Sequence, residues 1–333
     1  MGIDLCELTA WELSGLYASG RTSPVDVMKT ILERIQSLDP TVNAFCQVAD
    51  EALELARASE AHWQRGAPLS HVGPMTRCVE DAAQILTIIT RPDSRDWYAL
   101  PFEGADYARG LSCLPVPGGI RIACSPTLGL PVIAEAEIHD AVVRTAAMFR
   151  ELGALVHVAD PPGVAQCNAV HTTLWRACCR QLTDGMTDRW AELDPSLQAS
   201  AQAGNGISRG ELLGALIERG ELGAAVNAFF ERHDLLICPV YPDVAPSLAE
   251  VSSSTALFPH FTAWCNQLGL PAASLYAGMT ATRLPVGIQI VGSRHADALV
   301  LWASHMLERA FGRAPFAELT RELFASAAGA TPA

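Results

Sequence analysis

Gly119-Ile120-Arg121-Ile122-Ala123 reads as a strand, Ile138 to Leu152 as a helix closed by Gly153, and Ala154-Leu155-Val156-His157-Val158-Ala159 as a second strand. A strand, a crossover helix and a strand in that order make a βαβ unit, because parallel neighbours need a long connection between them. The predicted fold class is therefore α/β, a mixed sheet flanked by helices. Downstream, Val164 to Trp190 and Ser208 to Arg232 read as helical, separated by a loop around Asp194-Pro195 and Gly204-Asn205-Gly206. Asp234-Leu235-Leu236-Ile237-Cys238-Pro239 is an apolar strand bounded by proline, and a helix from Ala296 to Glu308 precedes a polar, alanine-rich tail.

Upstream, Thr9-Ala10-Trp11-Glu12 has the form of a capping box and opens a short helix ending near Gly20. Ser23-Pro24-Val25-Asp26 repeats the start signal, and Val27, Met28, Ile31, Leu32, Ile35 and Leu38 mark one apolar face until Asp39-Pro40, where the helix is expected to stop. Asn43 to Val48 is a candidate strand and Asp50 to Arg65 an alanine-rich helix. Val79 to Ile89 is a further helix, with Ala82, Ala83, Leu86 and Ile89 spaced for burial, and Pro92 to Pro117 reads as loop.

The bulk properties bound the function. A chain of 333 residues, half of them apolar, is ample for a buried core. The formal charge of −13 and the lack of a basic patch disfavour nucleic acid as a partner. Neither a signal peptide nor a membrane span is expected. Ten cysteines without CxxC pairs predict neither a zinc site nor a disulfide framework, and point to a reducing, cytoplasmic setting. Nine histidines without HxxxH or HxH spacing predict no metal site, and no cofactor is expected.

Four ordered motifs carry a family resemblance. Gly73-Pro74-Met75-Thr76-Arg77-Cys78-Val79-Glu80-Asp81-Ala82-Ala83 is similar to "GPMxRxVxDAA", Asp234 to Pro239 to "DLLLTPT", and Phe261-Thr262-Ala263-Trp264-Cys265-Asn266-Gln267-Leu268-Gly269-Leu270-Pro271-Ala272 to "FTxxxNLxGxPA". Leu284-Pro285-Val286-Gly287-Ile288-Gln289-Ile290-Val291-Gly292, the most specific of the four, is nearly "LPVGLQIVG". The chain thus resembles the amidase signature family, serine amidases that cleave carbon–nitrogen bonds. The resemblance implies hydrolysis of a carboxamide to a carboxylate and ammonia or an amine, without a cofactor.

It also exposes a gap. In intact members a helix like the one ending at Arg65 leads into a "PLxGVPxxxKD" turn bearing the catalytic lysine, and then a "GGSxRxPA" loop bearing the nucleophile. Here Ala67-Pro68-Leu69 runs straight into Ser70-His71-Val72-Gly73, so a segment on the order of 100 residues, the size of a small domain, is expected to be missing. Gly118-Gly119-Ile120-Arg121-Ile122-Ala123 has no serine after its glycines and matches the later "GLRIG" strand instead. The organisation expected is residues 1–69 as the N-terminal helical segment, 70–312 as the remainder of an amidase-like domain with part of its central sheet deleted, and 313–333 as tail.

The chemistry needs a serine, a relay serine and a lysine able to lose its proton. Lys29 is the one lysine in the chain and reads as a solvated helix residue. Ser252-Ser253-Ser254 lacks flanking glycines and reads as a loop or helix cap. His71 and Cys78 with Glu80 and Asp81 form a weak candidate cysteine–histidine site, and Cys178-Cys179 near His171 fit buried small hydrophobes better than a thiolate centre. Trp264, Asn266 and Gln289 read as packing and loop-closing residues that could line a remnant of a substrate cleft. No catalytic residue is assigned, and the substrate-binding residues are unknown. Three outcomes are open: an inactive amidase, a binding or scaffold protein that forms homo-oligomers or partners an intact homologue, or an active hydrolase with a relocated nucleophile. A small amide is the ligand expected of a surviving cleft.

Overall fold

The computed structural model describes residues 24–42, 73–92, 104–111, 119–132, 134–246 and 261–312, with positions 6, 8, 9, 12, 13, 16, 21 and 22 singly. The strand expected at 43–48, the helix at 50–65, the Leu69/Ser70 join, His71, the serines at 252–254 and the tail lie outside these residues. The chain divides into two compact units, one of residues 1–66, 74–108 and 313–333 and one of 67–73 and 109–312.

In the first unit the capping box forms. Thr9 N–H donates to Glu12 Oε2 (2.8 Å) and Glu12 N–H to Thr9 Oγ1 (3.2 Å). Helix α1, Pro24–Val42, buries Val27 and runs through Pro40 instead of stopping there. Proline this close to a helix end removes one donor without breaking a turn that must continue. Helix α2, Val79–Ile89, buries Val79, Asp81 and Ala83; Ala82 and Leu86 are half-buried, and Ile89, its last residue, is exposed rather than buried. The stretch read as loop contains one helical turn, Tyr107–Gly110, whose first N–H donates to Thr87 Oγ1 (3.0 Å).

The second unit holds the βαβ unit: β1 (Arg121–Cys124), α3 (Ala136–Glu151) and β2 (Leu155–Val158). Helix α4 (Val164–Leu182) ends earlier than expected, in a turn where Gly185 takes φ +83°. The loop expected around Asp194-Pro195 is in fact the start of α5 (Pro195–Gly204), for Asp194 accepts from Ser196 N–H and Pro195 occupies the first turn, where its missing donor costs nothing. Helix α6 (Arg209–Phe230) opens with a capping box between Ser208 and Glu211. Strand β3 (Leu235–Pro239), helix α7 (Ala263–Leu268), strands β4 (Ala272–Met279) and β5 (Pro285–Gly292), and helix α8 (Asp297–Phe311) complete the unit.

The five strands form one mixed sheet in the order β2-β1-β3-β5-β4. Strand β1 is parallel to β2 and β3, with Ile122 opposite Val156 and Leu235. Strand β5 is antiparallel to β3 and β4, with Val291 opposite Leu236 and Ala272. The period-two alternation of side chains splits the core into two layers. Ile122, Leu235, Ile237, Ile288 and Ile290 face Ile138, Val142 and Phe149 of α3 and Ala303 and Leu307 of α8. Ala123, Leu236, Cys238 and Val291 face Cys167 of α4, Val226 and Phe229 of α6, and Trp264 and Cys265 of α7. Each large side chain fully buried this way stabilises the sheet by about 1.5–3 kcal/mol.

At the start of the sheet a forked ion pair pins β1 to β3. Arg121 Nη2 and Nε donate to the two carboxylate oxygens of Asp234 (2.7 and 3.3 Å), and Arg121 N–H adds a third bond to Oδ2 (2.7 Å). Asp234 N–H returns one to Arg121 O (2.7 Å). Burial pushes the Asp234 carboxyl up, but the hydrogen bonds from Arg121 outweigh it and the net shift is downward.

Candidate functional site

The chain leaves β1 through α3, on one face of the sheet, and returns to β3 through α4 and α6, on the other. Two parallel neighbours whose connections depart to opposite faces open a crevice at their carboxyl ends, which is where ligands of open α/β sheets bind. In this chain that position falls between the segments after Cys124 and after Pro239.

The first segment is built tightly. Ser125, fully buried, donates its hydroxyl to Asp160 Oδ1 (2.5 Å) and accepts Leu128 N–H (2.8 Å), while its own N–H bonds Ile237 O (2.9 Å) on β3. Leu128, buried in the core, takes φ +56°, a left-handed conformation that a branched side chain adopts only where its surroundings hold it. The second segment docks on the start of α3, with Glu135 N–H donating to Pro242 O (2.9 Å). There the Glu135 carboxyl is raised, first by lost solvation and then by its hydrogen bond to Asp243 and the charges of Asp243 and Glu137.

Gln289 is buried on β5. Its Nε2 donates to Phe261 O (2.9 Å) and Cys238 Sγ (3.3 Å), joining β5, β3 and the entry to α7. Trp264 Nε1 bonds the same Phe261 carbonyl (3.0 Å). Burial pushes the Cys238 thiol up to about 12 and Cys167 to about 11, and lifts Cys265 as well, so these sulfurs stay protonated and unreactive.

Of the residues singled out in the sequence, Trp264 and Gln289 meet at the Phe261 carbonyl. Lys29 is exposed on α1. Cys78 and Asp81 are buried at the start of α2, in the first unit, and Glu80 is half-buried. On α4, His171 is buried and stacks on Trp175 (6.0 Å between ring centres), and desolvation lowers its pKa; burial raises Cys178 and Cys179. Ser125, Asp160, Glu135 and Asp243 went unnoticed in the sequence, and the signal that points to them is topological: polar residues directly after strands on either side of a connection reversal. Chemically, Ser125 is already committed at both its donor and its acceptor, with neither lysine nor histidine as its partner. The arrangement is a pair of hydrogen-bonded strand-end segments, without an activated nucleophile among the described residues.

A family profile described as Amidase matches residues 63–301. An acylamidase of Rhodococcus erythropolis is 30% identical over 246 residues, covering 69% of this chain and 50% of that protein. One subunit of the glutamyl-tRNA(Gln) amidotransferase of a Synechococcus species is 29% identical over 272 residues, covering 73% and 55%. Among solved structures, a bacterial aryl acylamidase of the amidase signature enzymes superposes with a TM-score of 0.62 at 25% identity, over 74% of this chain and 53% of that one. The chain spans about half the length of the relatives it matches. With 239 of its residues inside one family profile, this chain belongs to the amidase family.

Proposed function

We propose that the chain keeps the shell of an amide hydrolase but does not hydrolyse amides through a Ser-Ser-Lys triad. The observation that carries this is the lysine inventory: Lys29 is the one lysine of 333 residues, and it stands exposed on α1. A general base must be desolvated or paired to lose its proton near neutral pH, and solvent exposure provides neither. Arginine, the other twenty-two basic residues, does not deprotonate at usable pH. The absence of the "KD" turn and of the glycine-rich serine loop at Leu69/Ser70 supports the same reading. The reaction inherited from the family is cleavage of a carboxamide, and a small amide remains the ligand expected of a surviving cleft.

A second reading is favoured by one observation. The segment missing at the join would supply central strands, and β2, now an edge, leaves Leu155 54% and Val158 79% exposed. Exposed apolar edges invite pairing with another chain. In this reading the protein is a binding subunit for an intact homologue, in a cytoplasmic setting.

The test measures ammonia release from a panel of aliphatic and aromatic carboxamides by the purified chain, alone and mixed with an intact homologue. No turnover alone supports the first reading, and a changed rate or stable co-elution in the mixture supports the second. Turnover by the chain alone, abolished by Ser125→Ala and not by Lys29→Ala, contradicts the first and points to a relocated nucleophile.

A further inference from the structure

At the opposite end of the sheet from the carboxyl ends of β1 and β3, an open bowl of about 460 Å³ is lined by Asn227, Phe230 and Glu231 at the end of α6 and by Ser293, Arg294 and His295 after β5. Its two walls carry opposite charge. The α6 wall presents the Glu231 carboxylate beside the last turn of a 22-residue helix, whose carbonyl end favours cations. The other wall presents the Arg294 guanidinium and the His295 ring.

Three observations mark the arginine wall as built. No ion pair joins Arg294 to Glu231 or to another described residue, although both line the same cavity. The guanidinium lies over Gly269, where a Cβ would sit 3.9 Å from Nε and Nη2; that glycine, at φ +65°, ends α7. His295 holds φ +69°, which turns the chain sharply between β5 and α8. Phe230, 6% exposed, gives the bowl an apolar floor. The Glu231 carbonyl is taken by Arg121 Nη1 (2.8 Å), which anchors that wall to the sheet.

We propose that this bowl binds a small zwitterion, with the ligand's carboxylate on Arg294 and His295, its ammonium on Glu231, and its methylene chain over Phe230. A planar guanidinium fork matches a carboxylate in a bidentate way, and a carboxylate beside a helix C-terminus matches an ammonium. A ligand with one charge satisfies one wall and leaves the other with water alone. The site's chemistry is independent of amide hydrolysis, and it holds or fails whatever the activity assay gives.

The experiment is calorimetric titration of the full chain with a series of ω-amino acids from β-alanine to 6-aminohexanoate, beside n-butyrate and n-butylamine. The expected result is binding that peaks at one chain length and is at least tenfold weaker for both single-charge probes. Arg294→Ala should then lower affinity about tenfold for the zwitterion and abolish the difference between it and butylamine, with Arg294→Lys restoring part of it. Glu231→Gln should abolish the difference between the zwitterion and butyrate. All these side chains are at the surface, so the variants should unfold at the parent's temperature. Equal affinity for zwitterion and single-charge probes, binding unchanged in both variants, or no heat with any probe would overturn the proposal.

Discussion

Strand β5 and strand β2 belong to one sheet and lead opposite lives. From Val286 to Gly292, β5 is buried or half-buried at every position, held between β3 and β4 and covered on both faces. Among the described residues strand β2 pairs on one side only, and three of its four residues are exposed, among them Leu155 and Val158. A parallel strand is normally buried on both faces, so an apolar parallel edge is open to pairing with a further segment. Under the proposed reading, the contrast puts the intact part of the fold at β3-β5-β4 and the altered part at the β1-β2 side.

Perturbing the two regions should therefore give effects of very different size. Trp264, fully buried beneath β5, is the heaviest support of the intact side, and Trp264→Ala should lower unfolding free energy by about 3–5 kcal/mol in urea titration. Loss below 1 kcal/mol would show that the covered side is itself loosely packed.

Gly204 comes next, because a Cβ there would collide with the Arg176 backbone oxygen and Arg180 Cβ on the neighbouring helix. Gly204→Ala should destabilise by about 1–3 kcal/mol through forced separation of α4 and α5. Ser125→Ala removes the bond to Asp160 and the acceptor for Leu128 N–H, and should cost about 1–3 kcal/mol because that N–H is left buried and unpaired. At the altered edge, Val158→Lys should change stability by less than about 0.5 kcal/mol while reducing concentration-dependent light scattering. A scattering rate indifferent to that change would remove β2 as the exposed site.

The link between β1 and β3 has a pH signature of its own. Asp234 has its pKa depressed in the folded protein, net of a burial effect that opposes it, so its contribution is present above the unfolded value of about 3.9 and is lost as pH falls through the folded value. Asp234→Asn should lower the unfolding midpoint at pH 7 by the larger amount, and the two proteins should converge as the pH drops below about 4. A constant difference across that range would mean that the side chain acts through its shape alone.

Most of the sheet was legible because its determinants are local. Apolar runs bounded by proline or glycine marked β1, β2 and β3, and the capping signals at Ser208 and Thr9 set helix starts where the structure has them. The misreadings arose where a local signal has two meanings. Asp194-Pro195 opens a helix as readily as a loop, and Pro40 sits close enough to a helix end to be tolerated. Strand β4, Ala272-Ala273-Ser274-Leu275-Tyr276-Ala277-Gly278-Met279, escaped notice because its small residues carry little alternation and Gly278 takes φ +123° at a bulge. The contacts at the strand ends were invisible for a different reason. Ser125 and Asp160 are 35 residues apart, and Glu135 and Asp243 108 apart, and only the reversal of connections around β1 brings each pair together.

The central claim, that the family's shell persists here without its activated serine, is tested most directly by treating the chain with a fluorophosphonate, digesting it, and mapping modified peptides by mass spectrometry beside an intact amidase. An adduct on the intact enzyme and unmodified serines throughout this chain is the predicted result. A stoichiometric adduct on one serine of this chain, lost on prior unfolding, would contradict it.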